Sequence, residues 1–107
     1  MSVLTFRATG SAAVAMEVNP ARPFQLEDMK IHLSAAGGAG NLTITLDSGV
    51  GAAYDAVLLT QDMTSVVDYL WVPTRPIKCT HASDHLDIVW ANTNSKTYGI
   101  ECNVSPI

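Results

Sequence analysis

Apolar and polar residues alternate with a period of two along much of this chain, which is the signature of half-buried β-strands. Leu4, Phe6 and Ala8 alternate with Thr5 and Arg7, and Gly10-Ser11 ends the run. Val14, Met16 and Val18 alternate with Ala13, Ala15 and Glu17. The clearest pattern sets Leu42, Ile44 and Leu46 against Asn41, Thr43, Thr45 and Asp47. Near the end, Tyr98, Ile100 and Cys102 oppose Thr97, Gly99 and Glu101. Between Phe24 and Ser34 the phase changes: Leu26 belongs to one register, and Met29, Ile31 and Leu33 to the other. That break at Glu27-Asp28 predicts a bulge or bend.

Turn residues separate these runs. Asn19-Pro20-Ala-Arg-Pro23 is a loop, because two prolines fix φ and remove donors. Gly37-Gly38-Ala39-Gly40 reads as a flexible connection or interface loop, Ser48-Gly-Val-Gly51 as a turn, and Asn92-Thr-Asn-Ser95 as a hairpin turn. Asp62-Met-Thr-Ser65 reads as a loop. The count is eight or nine strands at spacings of 8 to 12 residues, and no twelve-residue stretch carries a helical stripe. This cadence predicts an all-β fold, a single antiparallel β-sandwich of jelly-roll or Greek-key type spanning residues 1–107. Residues 1–11 are a candidate exchanged or peripheral strand, and Pro73–Pro76 and His81–Asp84 are read as crossovers.

Beyond Gly51 the alternation gives way to continuous apolar runs: Ala56–Leu59, Val66-Val67, Tyr69–Val72 and Ile88–Ala91. Strands apolar on both faces are normally covered on both sides. With no helix to cover an outer face, the remaining cover is another chain. The expectation is a homo-oligomer, such as a trimer, or a component of a larger assembly.

Composition agrees. Of 107 residues 48% are apolar and only 15% charged, so the surface is unusually neutral. The net charge of −4, with three lysines and three arginines scattered singly, excludes a basic nucleic-acid surface. No apolar run reaches the length of a membrane span. Met1–Arg7 lacks the basic and apolar regions of a signal peptide. Cys79 and Cys102 both lie in apolar strand segments and read as buried thiols, with a disulfide left open if their strands adjoin.

Candidate chemistry is thin. His81, Asp84, His85 and Asp87 include metal-ligand types, but only His85 and Asp87 share a strand face. Asp84 is read instead as a turn cap accepting backbone N–H groups. No Gly-x-Ser-x-Gly elbow accompanies the serines and histidines, and the glycine loop lacks a following Gly-Lys-Ser/Thr. No catalytic residue, metal or cofactor is expected. Trp71, Trp90, Tyr54, Tyr69 and Tyr98 are the aromatics that could line a sugar-stacking platform, with Trp90, inside an apolar run, read as core.

Asp68-Tyr-Leu-Trp71-Val-Pro73, Arg75-Pro-Ile77, Ser83-Asp84, Trp90-Ala-Asn92 and Thr97–Ile100 together resemble small β-sandwich virion proteins of tailed bacteriophages. Phe24–Leu33 and Leu42–Leu46 are similar to their early strands. The resemblance implies a jelly-roll-like, non-enzymatic structural protein, most simply a capsid decoration or cement protein. It implies other virion proteins as partners, such as the major capsid protein, and neither nucleic acid nor membrane. Synthesis in the host cytoplasm and residence in the virion follow. The alternative is a carbohydrate- or receptor-binding sandwich, including a tail or fibre component. The contact residues expected are large apolar ones near strand ends and loops: Phe24, Tyr54, Met63, Trp71 and Ile107.

Overall fold

The computed structural model describes residues 3–107. Nine strands follow in order: β1 (Leu4–Gly10), β2 (Val14–Val18), β3 (Phe24–Leu33), β4 (Asn41–Asp47), β5 (Ala56–Asp62), β6 (Asp68–Trp71), β7 (Ile77–Cys79), β8 (His85–Trp90) and β9 (Tyr98–Pro106). A single 3₁₀ turn, Ala52–Tyr54, is the only helical element among the described residues. None of it is long and apolar enough to cross a membrane as a helix.

The strands form two antiparallel sheets, ordered β1-β9-β3-β6 and β2-β8-β4-β5, with β7 also on β3. Apart from the β4–β5 hairpin and the β6–β7 step, successive strands pass between the sheets, with β9 inserted between β1 and β3 and β8 between β2 and β4. This is a jelly roll. β6 and β7 pair with different stretches of β3, Met29–His32 and Phe24–Leu26. They are therefore two pieces of one edge strand, interrupted at 72–76. The prolines at 73 and 76 supply no ladder donors, so Pro73–Pro76 breaks a strand and does not cross over. The His81–Asp84 turn does cross, from β7 in one sheet to β8 in the other.

The alternating residues meet inside. Val14, Met16, Val18, Leu42, Ile44, Leu86, Ile88 and Trp90 face Leu26, Met29, Ile31, Leu33, Ile100, Cys102 and Val104 across the sandwich, all buried. The phase break in β3 is a bulge: Leu26 pairs with Val104 and Asp28 with Asn103, leaving Glu27 extra. It lets Leu26 and Met29, of opposite parity, both point inward.

Two residues expected at an interface belong to this core. Phe24 and Met63 are fully buried. Phe24 pairs with Cys79 on one side and Pro106 on the other, a central position and no frayed end. Met63 follows β5 in a polar stretch, yet its backbone bonds to Gly40 and Val66 fold it inward. The glycine loop is likewise packed: a Cβ on Gly37 would sit 2.4 Å from the Met63 carbonyl, and one on Gly38 2.4 Å from the Asn94 amide. These glycines allow close approach and are not a flexible linker.

β1 lies at the edge of its own sheet, paired with β9 from Leu4↔Val104 to Gly10↔Tyr98. Cys79 and Cys102 are free and buried. They flank β3 on opposite sides, facing Phe24 and Met29. Two strand spacings separate them, about 10 Å, plus an offset along β3. That exceeds the roughly 7 Å limit for a disulfide.

Candidate functional site

The free edge opposite β1 and β2 is built by β5 in one sheet and β6-β7 in the other. Between them lies a shallow cleft of about 300 Å³, lined by Leu58, Trp71, Pro73, Thr74, Arg75 and Ile77. β5 is apolar on both faces because it slips register: Ile44 pairs with Leu59 and Thr45 with Val57, leaving Leu58 as the extra residue. Leu58 and Leu59 are both half-buried, while Val57 stays exposed. In β6, Tyr69 and Trp71 pack inward against the core, whereas Leu70 and, just beyond the strand, Val72 are exposed. Of nine large apolar side chains exposed among the described residues, six lie in residues 50–72: Val50, Tyr54, Val57, Val67, Leu70 and Val72.

Of the expected contact residues, Tyr54 and Ile107 are exposed and Trp71 half-buried. Trp71 borders the cleft, but Ile107 bonds to Pro23. Val57, Leu70 and Val72 were hidden inside runs that looked uniformly apolar. Only β-strand parity, with the bulge at Leu58, could have exposed them. Ile88–Ala91 is an ordinary strand end, with Ile88 and Trp90 in and Val89 and Ala91 out. Trp90 and Tyr98 are buried too, so the aromatics present no solvent-facing platform among the described residues; only Tyr54 is broadly exposed.

The polar segment before β8 resolves into two groups. Asp84 is buried and accepts the backbone N–H of Gly49 at 2.7 Å and of His81 at 3.1 Å, as a turn cap should. His85 and Asp87 instead share the outer face of β8 with Asp47, which pairs with His85 from β4. His85 Nε2 lies 3.1 Å from the Asp47 carboxylate and 3.8 Å from that of Asp87. One donor atom from each falls within 4.8 Å of the others, so among the described residues these three, all half-buried, could hold a cation. Asp47 was not among the residues singled out from sequence, since its pairing with β8 is long-range.

The outer face of the other sheet carries two cross-strand rows. Arg7 pairs with Glu101, which pairs with Lys30, which pairs with Leu70. Thr9, Gly99, His32 and Asp68 form the next row. Arg7 and Lys30 both bond to Glu101, and their hydrogen bonds hold its carboxyl below the usual range. His32 Nδ1 bonds to Asp68.

No protein-family model matches the chain, and no curated protein is significantly similar to it. Among solved structures, it is similar to the crystal structure of the Yersinia pseudotuberculosis-derived mitogen, at 15% identity and a TM-score of 0.42, over 99% of this chain and 86% of that one.

Proposed function

We propose that this chain is a non-enzymatic structural subunit that docks onto neighbouring subunits through the edge formed by β5, β6 and the loop at 72–76. We further propose that the assembly is a bacteriophage virion, whose shell the protein decorates and cements. The observation that carries the reading is the concentration of exposed apolar side chains in residues 50–72, on β5, β6 and the turns and loops that flank them, where the outer ladders of both strands are unpaired. Exposed apolar area beside unpaired backbone N–H and C=O groups is where a second chain gains most by binding. Scarcity of charge lowers the desolvation cost there. The virion setting rests on the resemblance of Asp68–Pro73, Arg75–Ile77 and Trp90–Asn92 to small jelly-roll virion proteins.

A cement protein acts by mass action: it binds the assembled shell and not the dispersed subunits, and so stabilises the shell. Each buried apolar Å² contributes about 25 cal/mol before association costs. The sugar-platform alternative loses its support, because Trp71 and Tyr69 pack inward. Incorporation into particles tests the reading. Leu70→Asp with Val72→Asp should fold normally and be excluded from particles that take up the wild type. Unchanged incorporation would sink the proposal.

A further inference from the structure

The outer face of the five-stranded sheet holds a trough of about 600 Å³, lined by the two cross-strand rows. That volume is within the usual range for small-ligand sites, about 300–1,000 Å³. Its floor is Gly99, the second residue of β9, paired on both sides between Thr9 and His32.

Gly99 is unexplained by the fold. Glycine weakens a strand interior and there often marks close approach of a ligand or another backbone. Among the glycines only Gly40 and Gly51 adopt positive φ, so Gly99 needs no special conformation. A Cβ on Gly99 would meet nothing within 4 Å, whereas one on Gly37, Gly38 or Gly49 would collide. What the missing side chain provides is the open floor.

The walls define the ligand. Arg7, Lys30 and His32 donate, and Glu101 and Asp68 accept. Arg7 and Lys30 set two positive charges among the two carboxylates, so the walls present both signs. An anion would meet Glu101 and Asp68, and a cation would meet Arg7 and Lys30. An apolar ligand would take these paired polar groups out of water and give them no new partner. A molecule whose hydroxyls each donate and accept satisfies both kinds of wall at once. We propose that this trough binds a neutral saccharide of one or two hexose units, floored on Gly99 and held between the Arg7–Glu101–Lys30 and His32–Asp68 groups. The site borders the docking edge, sharing β6 through Asp68, and sugar binding to the isolated chain is measured independently of docking.

The test is amide NMR titration of the full chain with glucose, galactose, mannose, N-acetylglucosamine and their disaccharides, with sialic acid as the charged control. At least one neutral sugar should shift the Thr9, His32 and Gly99 amides saturably. Gly99→Val should weaken that binding by about tenfold or more while leaving thermal stability equal or higher, since valine is the better strand residue. Asp68→Asn should weaken it with the fold intact. No saturable shift from any neutral sugar, binding of sialic acid alone, or an unchanged affinity in folded Gly99→Val would each overturn the proposal. A Gly99→Val chain that fails to fold would contradict the open floor itself, and folded Gly99→Ala would repeat the binding test.

Discussion

Asp84 accepts the backbone N–H of Gly49 at 2.7 Å, tying the turn after β4 to the turn before β8. The same carboxylate caps its own turn through His81. Asp84→Ala should therefore cost about 3 kcal/mol, since two hydrogen bonds to a buried charge are lost and their donors stranded. Asp84→Asn, which keeps one acceptor, should cost less. Urea unfolding midpoints measure both, and a negligible change in Asp84→Ala would contradict the role.

Asn92 performs the matching task at the other end of the sandwich. It is buried with φ 49°, and its amide donates to the carbonyls of Ala12 and Lys96 at 2.9 Å, while its oxygen accepts from Lys96 N–H. Asn92→Ala loses these bonds and strains an αL position, for an expected loss of about 3–4 kcal/mol. Asn92→Gly should recover only the backbone part, so it should fall between alanine and wild type in the same unfolding series.

The thiols predict an alkaline limit to stability. Burial, reinforced by the negative charge of Asp84, pushes Cys79 up to about 11. Burial and then Asp28 push Cys102 up to about 12. The unfolded thiols ionise first, so stability is whole below the ordinary thiol range and falls as pH rises toward these folded values. Both should resist a thiol reagent at pH about 8 in the native state and react together on unfolding. Prompt reaction of the native chain would show that the burial is wrong.

Glu101 sets a weaker acid dependence. Its folded value is lowered by hydrogen bonds from Lys30 and Arg7, so its contribution is present above the ordinary carboxylate range and lost as pH falls through the folded value. The group is exposed, and the effect should be small. Melting temperature against pH should drop less steeply in Glu101→Gln than in wild type on the acid side. Parallel curves would count against the ion-pair row.

Most of the fold was legible because the core is written in parity. The runs at Leu4–Ala8, Val14–Val18 and Leu42–Leu46 became β1, β2 and β4, and the broken phase at Glu27-Asp28 became a bulge. Partnership was harder. Nothing local shows that β6 and β7 share β3, because the prolines at 73 and 76 look like a turn between separate elements. Met63 looked exposed because its neighbours are polar, yet backbone bonds turn it inward. The trough was invisible for a related reason: Gly99 reads as one weak strand residue until Thr9 and His32 are known to flank it. Sites made by register across four strands leave no signature in one segment.

The edge of β5 and β6 is where the account is most exposed to test. Light scattering of the purified chain across a wide concentration range reads it directly. Wild type should associate as concentration rises, and Leu70→Asp with Val72→Asp should remain monomeric with an unchanged melting temperature. A wild-type chain that stays a monodisperse monomer at high concentration would contradict the claim that this edge is built for another chain.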